Sequence, residues 1–391
     1  MLSGVNVALG VTGSIAAIRC VELAHELRRR GAEVRAVTTD AASGIVHPWA
    51  LQFATDNAVV TEITGAVEHV ELFGENGWAD IFLIAPATAN TIGKIAAAVD
   101  DTPVTTCATT ALGTGVPVVI APAMHEPMYD HPGVLETIDR VESWGVDFVD
   151  PRIEEGKAKI AETETIALET TRAATPSPLA GTDIIVTSGA TSEEVDPVRV
   201  LTNRASGQTG REVARACYVR GASVTLIHDG PELPYADVRQ VESAVEMLDA
   251  TLDAARDADA LVSAAAISDY TVEAEDEKIR SGRDDLVLEL SPTPKLLDTV
   301  RGEFPELTIV GFKAETDPED DDMLTEAARG PLERAALSFV VANDARVMGK
   351  QETRTLIVRP DRYEPFEGSK AELGARVAEE LDEELNAEPE R

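Results

Sequence analysis

The same strand–helix–strand plan occurs twice in this chain, and this repetition restricts its fold more than any other feature. Residues 5–10 are predicted to form a strand, Ser14 is a suitable helix N-cap, the helix ends at Gly31, and residues 33–38 return as a strand. Residues 183–186 and 211–220 repeat the strand and the helix, which ends at Gly221. A β-α-β unit has parallel strands and a right-handed crossover. We therefore predict two tandem Rossmann-like α/β domains with three layers each, in preference to one large sheet.

The chain is strongly acidic, which limits its partners. It has 70 acidic and 34 basic residues and a formal net charge of -36. Nucleic acids and anionic membranes need a basic face, so neither is expected as a partner. An acid excess can also indicate disorder, but periodic apolar segments and 44% hydrophobic residues indicate a folded chain. We interpret the charge as an adaptation to high salt, which screens repulsion between surface carboxylates.

The cysteines and the N-terminal segment favour a cytoplasmic protein. Cys20, Cys107 and Cys217 each lie in an apolar segment, and their spacing forms neither a disulfide framework nor a CxxC metal pair. The first basic residue is Arg19, so the positive start of a signal peptide is missing. No run approaches the ~20 apolar residues of a membrane span.

Residues 173–181 are small and include two prolines, which is typical of a semi-extended linker. This boundary predicts a first domain at 1–172 and a second at 182–391. The amphipathic spacing of Leu373, Val377 and Leu381 predicts a helix near the end of the second domain.

Two segments have the composition of ligand-binding turns. Residues 187–210 form a long loop rich in Ser, Thr and Gly between a strand and its helix, and residues 86–91 place hydroxyls and an amide after another strand. Small residues before a helix N-terminus allow backbone N–H groups to approach a phosphate. From composition alone, a solvated loop is an equal alternative for residues 187–210. His69 and His125 stand alone, and a lone histidine is more often structural than catalytic.

Together, these segments resemble a known enzyme family along nearly the whole chain. Val-Glu-His-Val-Glu-Leu at 67–72, Pro-Ala-Thr-Ala-Asn-Thr at 86–91 and Ala-Pro-Ala-Met at 121–124 resemble flavin-containing cysteine decarboxylases. Asp-Pro-Val-Arg at 196–199, Asn-Arg-Ala-Ser-Gly at 203–207 and Asp-Tyr at 269–270 resemble phosphopantothenate–cysteine ligases. The order of these motifs is similar to that in bifunctional enzymes of coenzyme A synthesis. The resemblance implies a flavodoxin-like flavoprotein decarboxylase domain followed by a ligase domain.

For the first domain, the resemblance implies FMN and the substrate phosphopantothenoylcysteine. The catalytic histidine of the family falls on His69, which is expected to act as a base. The positions that match its FMN-binding residues are Gly13, Ser14, Thr38, Pro86, Thr88 and Asn90.

Two departures from the family pattern affect the substrate site. His125 follows Met124 where the bacterial pattern has Asn, and an imidazole still donates a hydrogen bond to a carboxylate. The bacterial substrate clamp contains a cysteine proton donor, whereas residues 155–161 here read Glu-Gly-Lys-Ala-Lys-Ile-Ala. Lys159 or Lys157 is expected to replace that donor or to bind the substrate phosphate. Two solvated lysines on a flexible flap are the alternative.

For the second domain, the resemblance implies ligation of 4′-phosphopantothenate to cysteine with CTP and Mg²⁺, whose protein ligands the sequence leaves unassigned. Asn203 matches the asparagine that serves the acyl-nucleotide intermediate, and Arg204 and Gly207 are expected near the substrate phosphates. Ala335 stands where the family usually has a lysine, so Arg329 or Arg334 is expected to replace it. The positions assigned to the nucleotide are Ala265, Asp269, Lys278, Pro294, Lys295, Leu296, Leu297 and Phe312.

Two other functions are compatible with the same motifs. A ligase could carry an impaired decarboxylase domain that still binds flavin, or the chain could be a flavoprotein regulatory subunit without catalysis. The family also implies a homo-oligomer with trimeric decarboxylase units and dimeric ligase contacts.

Overall fold

The computed structural model describes residues 2–280, 286–315, 321–344 and 352–387. The chain divides into two compact units, Met1–Pro176 and Ser177–Arg391. Among the described residues, no helix is both long enough and apolar enough to span a membrane.

The first unit is built on a five-stranded parallel sheet. Its strand order is β2-β1-β3-β4-β6, the flavodoxin-like order implied by the sequence. The strands are β1 (Asn6–Val11), β2 (Glu33–Thr38), β3 (Ile81–Ala87), β4 (Val118–Pro122), β5 (Met124–His125), β6 (Asp147–Phe148), β7 (Arg152–Glu154) and β8 (Lys157–Lys159). The helices are a 3-10 helix (Ile15–Arg19), α1 (Cys20–Arg29), α2 (Asp40–Ser43), α3 (Pro48–Thr55), α4 (Glu68–Phe73), α5 (Ala89–Ala96), α6 (Pro103–Thr114), α7 (Glu126–Tyr129), α8 (Pro132–Glu142) and α9 (Thr163–Ala173).

The sheet of the first unit is covered on both faces by helices. Every residue of β3 is buried, which requires a continuous apolar run rather than an alternating one. The predicted first β-α-β unit is confirmed, since β1 and β2 pair in parallel with Asn6 opposite Glu33. The helix between them differs from the prediction, because a 3-10 turn capped by Ser14 precedes α1.

The second unit has an eight-stranded mixed sheet in the order β13-β12-β9-β14-β17-β18-β19-β20. Its first six strands pair in parallel and the last two join antiparallel. The strands are β9 (Asp183–Thr187), β10 (Ser192–Asp196), β11 (Arg199–Thr202), β12 (Ser223–His228), β13 (Asp237–Gln240), β14 (Ala260–Ser263), β15 (Tyr270–Val272), β16 (Leu290–Pro292), β17 (Thr308–Glu315), β18 (Phe339–Asp344), β19 (Glu352–Val358) and β20 (Tyr363–Ser369). The helices are α10 (Gln208–Val219), α11 (Ala244–Ala254), α12 (Leu296–Glu303), α13 (Asp321–Arg334) and α14 (Lys370–Leu385).

Several elements of the second unit differ from their sequence-based description. The loop after β9 contains a hairpin formed by β10 and β11, so much of it is ordered secondary structure. The predicted linker is shorter than 173–181, since Ala173 ends α9 and Leu179 is fully buried in the core of the second unit. Leu179 N–H also donates to the Arg220 carbonyl at 3.0 Å.

Helix α14 confirms the predicted C-terminal amphipathic helix, because Leu373, Val377 and Leu381 are all buried. It packs against α10 so closely that a Cβ added at Gly374 would lie 2.5 Å from the Glu212 carbonyl oxygen. Only glycine allows this approach without a shift of the backbone.

Candidate active sites

The first unit contains a cavity of about 800 Å³ at the carboxyl ends of β1, β2 and β3. Neighbouring strands β1 and β3 are the point at which the strand order reverses direction, which is where open α/β sheets bind ligands. The lining includes Thr12 and Gly13 after β1, Thr39 after β2, and Thr88 after β3.

Three helices begin at this cavity with threonine caps. Thr39, Thr88 and Thr102 accept from the backbone N–H groups of Ala42, Thr91 and Thr105, each at 3.2 Å, at the starts of α2, α5 and α6. Helix N-termini carry partial positive charge and free N–H groups. The cavity therefore offers neutral donors to an anionic group.

The wall between β1 and β3 is held by two buried hydrogen bonds. Thr12 Oγ1 donates to the Pro86 carbonyl at 2.7 Å, and Cys20 Sγ donates to the Ala85 carbonyl at 3.0 Å. Gly13 allows the turn after β1 to pack closely against α2, since an added Cβ would lie 2.5 Å from the Ala41 Cβ.

We expect Gly13→Ala to weaken flavin binding by about 10- to 100-fold, because overpacking of this size typically costs ~1–3 kcal/mol and would displace the turn. Flavin fluorescence titration of the purified protein measures the change. Gly93→Ala is the matched control, since a Cβ there meets nothing within 4 Å and alanine favours helix α5. Equal affinities in the two variants would contradict the assigned turn.

The rim of the first cavity is acidic. Asp40, Glu62, Asp100 and Asp101 line it together with a single ammonium, that of Lys94. Lys94 Nζ contacts both carboxylate oxygens of Asp101, at 2.8 and 2.7 Å. An anionic ligand is therefore attracted by helix N-termini and repelled by the rim.

The structure brings some of the predicted flavin-binding residues together. Gly13, Thr88 and Asn90 line the cavity, whereas Ser14, Thr38 and Pro86 are not among its lining residues. Thr38 is fully buried, and its hydroxyl donates to the Thr39 carbonyl at 3.2 Å and contacts Ser43 Oγ at 2.8 Å. The adjacent residue, Thr39, faces the cavity in its place.

His69 lies on α4, outside the lining of this cavity. The helix is anchored by Phe73, whose ring lies 4.7 Å from that of Phe82 on β3. His69 Nδ1 is shielded from solvent and has no hydrogen-bond partner among the described residues. Most buried polar atoms have a hydrogen-bond partner, because an unpaired one destabilises the fold. The imidazole of His69 therefore has unused hydrogen-bonding capacity.

Met124 and His125 belong to a small three-stranded sheet that also contains both candidate lysines. Strand β5 pairs antiparallel with β8, so that His125 lies opposite Lys157, and β8 pairs with β7. Glu155 and Gly156 have φ angles of 53° and 68°, as a two-residue hairpin turn requires. The segment for which a flexible flap was the alternative interpretation is thus a hairpin.

The two lysines of this hairpin have different surroundings. Lys159 Nζ lies 3.0 Å from the carboxylates of both Glu154 and Glu155, and these hydrogen bonds raise the pKa of Lys159. A raised pKa makes the ammonium a weaker acid, so this arrangement suits binding better than proton donation. Lys157 is exposed. The cysteines do not supply the missing donor, because burial raises the pKa of the thiols of Cys20, Cys107 and Cys217 to about 12.

The second unit contains a cavity of about 580 Å³ beside the carboxyl ends of β9, β14 and β17. Gly207 precedes α10 with a φ of 67°, and a Cβ there would lie 2.8 Å from the Gly189 backbone nitrogen. The two loops therefore touch through their glycine backbones, which leaves room for a ligand over the start of α10.

The lining of the second cavity is basic although the chain is acidic. Among the described residues that line it, Asp269 is the sole carboxylate, and it forms an ion pair with Lys295. A local excess of cations in a chain of net charge -36 is typical of a site for a polyanion. The five basic lining residues are Arg204, Lys295, Lys313, Arg334 and Lys370.

Most residues predicted for the ligase site meet at this cavity. Asn203 and Lys278 are the exceptions, since neither is among the lining residues. Asn203 Nδ2 donates to the Ala266 carbonyl at 3.1 Å, which ties the amide to a loop that does line the cavity. The predicted residues that line it are Arg204, Gly207, Ala265, Asp269, Pro294, Lys295, Leu296, Leu297 and Phe312.

The charged and amide lining residues that sequence reasoning did not assign include Lys313, Lys370 and Asn343, and one choice between two arginines was left open. Lys313 follows Phe312 on β17, Lys370 begins α14, and Asn343 presents a buried Oδ1 without a hydrogen-bond partner among the described residues. The motifs around Lys313 and Asn343 could have indicated them, but no local signal marks Lys370. Of the two arginines proposed to replace the missing lysine, Arg334 lines the cavity and Arg329 does not.

Among the described residues, no group of three or more His, Cys, Asp or Glu side chains is arranged to hold a metal ion. Mg²⁺ commonly binds through one or two carboxylates together with substrate phosphates. Asp269 is the lining carboxylate with that potential.

Comparison with known proteins gives matches to both halves of the chain. Residues 1–174 match the Flavoprotein family, and residues 179–385 match the DNA/pantothenate metabolism flavoprotein C-terminal domain. The coenzyme A biosynthesis bifunctional protein CoaBC of Thermococcus kodakarensis is 46% identical over 98% of this chain and 96% of its own length. Proteins with the same name from Methanocaldococcus jannaschii and Bacillus subtilis are 35% and 33% identical. They cover 97% and 89% of this chain, and 94% and 88% of their own lengths.

Proposed function

This chain belongs to the coenzyme A biosynthesis bifunctional proteins and is an enzyme with a flavoprotein decarboxylase domain and a ligase domain, and from this premise we propose that its two cavities catalyse consecutive steps. The second cavity joins 4′-phosphopantothenate to cysteine with CTP. The first cavity converts the product, phosphopantothenoylcysteine, into 4′-phosphopantetheine with FMN. The contrast between a hydroxyl-rich cavity at helix N-termini and a cavity lined by five cations carries this proposal.

The ligase half must first activate a carboxylate, which does not acylate an amine unaided. The carboxylate of 4′-phosphopantothenate displaces pyrophosphate from CTP to give an acyl-cytidylate, and the cysteine amine then displaces CMP. Mg²⁺ supplies charge neutralisation on the triphosphate when it is bound. The basic lining supports the choice of two phosphorylated substrates, although the preference for CTP over ATP rests on the family.

We assign roles in the ligase half from position and chemistry. Asn203 hydrogen-bonds the developing oxyanion, Arg204 and the backbone at Gly207 hold phosphate, and Phe312 packs against the base or ribose. Lys278, which is not among the lining residues in this structure, contacts the phosphates of bound CTP and neutralises their charge. The other nucleotide contacts are Ala265, Asp269, Pro294, Lys295, Leu296, Leu297, Lys313, Arg334 and Lys370.

The residues of the first cavity fit a flavin mononucleotide. Gly13 lets the turn after β1 pack against Ala41 at the edge of the cavity, and the helix starts near Thr88 and Asn90 provide donors without a competing base. A bound FMN would supply reversible hydride transfer with the cysteinyl moiety, so that the redox change would cancel over the cycle. Ser14, Thr38 and Pro86 support the lining residues from behind. His69 accepts the thiol proton or the adjacent proton.

The hairpin that contains Lys157 and Lys159 is proposed to hold the substrate. Met124 and His125 lie on its neighbouring strand, where the imidazole of His125 can donate to the substrate carboxylate. Lys157 is better placed to bind the substrate phosphate, because Lys159 already pairs with two carboxylates. The raised pKa of Lys159 disfavours its predicted role as the proton donor in place of the clamp cysteine, so the proposal assigns that proton transfer to neither lysine.

An oligomer with trimeric decarboxylase units and dimeric ligase contacts is part of the proposal. His69 lies outside the cavity of its own unit, so a flavin bound between copies would bring a histidine to it. Apolar side chains that are widely exposed in the single chain support such contacts, including Ile15 at 75%, Trp49 at 76% and Phe53 at 78%.

The acidic rim predicts that FMN binds more tightly as salt rises. Four rim carboxylates and one ammonium repel a dianionic phosphate by ~1 kcal/mol at 0.1 M salt, and multimolar salt screens this repulsion. We expect about a fivefold fall in Kd between 0.1 and 2 M KCl, measured by fluorescence titration. Riboflavin, which lacks the phosphate, is the control and should show a smaller change. An FMN affinity that falls with salt would contradict the prediction.

The proposed function is tested by following CO₂ release and the flavin spectrum together at high salt. With 4′-phosphopantothenate, cysteine, CTP and Mg²⁺ supplied, we expect pyrophosphate and CO₂ in equal amounts and a flavin that returns to its oxidised form. Pyrophosphate without CO₂ would favour a ligase with an impaired decarboxylase domain. A yellow protein that produces neither would favour a regulatory flavoprotein.

A further inference from the structure

A fully buried carboxylate closes the hairpin of β10 and β11. Asp196 Oδ1 accepts from the backbone N–H groups of Val198 and Arg199 at 2.8 and 2.9 Å. The Arg199 guanidinium also pairs with Asp196 Oδ2. The Asp196 side chain has no exposed surface, whereas that of Arg199 is 43% exposed. An aspartate buried in this way needs partners for both oxygens.

Asp196 and Arg199 also form hydrogen bonds with the main chain of a segment that is distant in the sequence. Ile279 N–H donates to Asp196 Oδ2 at 3.0 Å, and Arg199 Nη1 donates to the Ile279 carbonyl at 3.1 Å. Both hydrogen-bonding groups of one peptide residue are therefore held by one ion pair. We call the contacts of Asp196 and Arg199 with Ile279 the Ile279 clamp.

The clamped segment is otherwise largely in solvent. Residues 273–278 and Arg280 are exposed, and Ile279 is half-buried. One further backbone bond, from Glu275 N–H to the Val195 carbonyl at 3.1 Å, ties the segment to β10. In this arrangement Lys278 is not among the residues that line the second cavity.

We propose that the Ile279 clamp holds the segment of Lys278 in a resting position that competes with nucleotide binding. The inference rests on the proposed function, in which Lys278 contacts the phosphates of CTP. Lys278 is not among the residues that line the cavity, and a movement of its segment toward the phosphates would break the contacts that hold the neighbouring main chain at Ile279. Asp196 is therefore a positioning residue of the ligase half rather than a catalytic one.

The clamp acts through linkage between two states. A contact made only in the nucleotide-free state lowers the apparent affinity for nucleotide, because binding must first populate the open state. Removing that contact tightens binding. A contact that held the segment in its productive position would have the opposite effect when removed.

The sharpest test is Asp196→Asn in the full-length protein. Asn keeps an oxygen for the two turn N–H groups but replaces the acceptor of Ile279 N–H with a donor. We expect trypsin to cleave faster after Lys278 and Arg280, and CTP with Mg²⁺, in the absence of 4′-phosphopantothenate, to bind about three- to tenfold more tightly by calorimetry. The control is Asp259→Asn, since Asp259 accepts from the distant Asp183 N–H at 2.8 Å without touching the segment.

A second variant covers the case in which Asp196→Asn fails to fold. Ile279→Pro removes the N–H donor from the exposed segment and leaves the buried aspartate intact. It should also speed cleavage after Arg280 and tighten CTP. Unchanged or weaker CTP binding in the folded variant overturns the proposal.

Lys278→Ala separates this inference from the proposed function. If it weakens CTP binding and Asp196→Asn in the Lys278→Ala background no longer tightens it, the clamp acts through Lys278. If Lys278→Ala weakens CTP but Asp196→Asn does not tighten it, the clamp proposal fails and the phosphate role stands. If Lys278→Ala leaves CTP affinity unchanged, the phosphate role fails, and the clamp proposal fails with it.

Discussion

Replacement of His69 by Asn should lower CO₂ release from phosphopantothenoylcysteine by about 10²–10⁴-fold, the usual contribution of a positioned acid or base. Asn occupies a similar volume and keeps a donor, but it does not accept a proton near neutral pH. The His69 Nδ1 atom is shielded and has no partner among the described residues, so the fold itself does not depend on its hydrogen bond. The effect should therefore appear in kcat with little loss of stability or flavin content.

The matched control for this variant is His131→Asn. His131 Nδ1 accepts from the Gly133 N–H at 3.1 Å at the start of α8, and Asn is an equally good helix cap. Decarboxylation should be unchanged in that protein. Ligase activity should be unchanged in both. Near-normal CO₂ release by His69→Asn would remove His69 from the mechanism and favour a base on another element.

The second large effect is expected for Asn203→Asp in the ligase half. Loss of one donor to a developing oxyanion commonly costs 10²–10³-fold in rate. Aspartate has the same shape but no N–H group, and its charge would face the Ala266 carbonyl that Asn203 now contacts at 3.1 Å. We expect pyrophosphate release and product formation to fall together by about 10²–10³-fold.

The other half of the same protein is the internal control for this variant. Phosphopantothenoylcysteine supplied directly should still be decarboxylated at the normal rate by Asn203→Asp. A variant that releases pyrophosphate normally but forms no amide would place Asn203 in the second step instead of the first. Full ligase activity would contradict any catalytic role for the amide.

Local patterns in the sequence predicted the helices and strands whose formation depends on neighbouring residues. The β-α-β unit from β1 to β2 follows from apolar runs, a serine cap and a glycine stop, and β2 has the predicted bounds. The stripe on α14 follows from helical periodicity. At the cavity of the first unit, the predicted residue Thr38 is buried and its neighbour Thr39 lines the cavity, because strand alternation near a strand end does not decide between neighbours.

Local sequence patterns could not predict contacts between segments that are distant in the sequence. Lys313 and Lys370 reach one cavity from β17 and α14, and no local signal distinguishes Lys370 from a solvated lysine. The Ile279 clamp joins residues 83 positions apart, and the Asp-Pro-Val-Arg motif at 196–199 does not indicate this distant partner. The ion pairs of Lys159 depend on the hairpin of β7 and β8. The sequence of that segment does not indicate a hairpin.

The position of α14 has a consequence for synthesis of the chain on the ribosome. Lys370, its first residue, lines the ligase cavity and donates to the Gln208 Oε1 atom of α10 at 3.0 Å. Among the described residues, those that line the cavity of the first unit lie between Thr12 and Thr106, and that unit ends at Pro176. A domain folds as a unit once it has emerged. The first unit can thus fold while the second is still being translated, whereas the cavity of the second unit becomes complete only when the last helix leaves the exit tunnel.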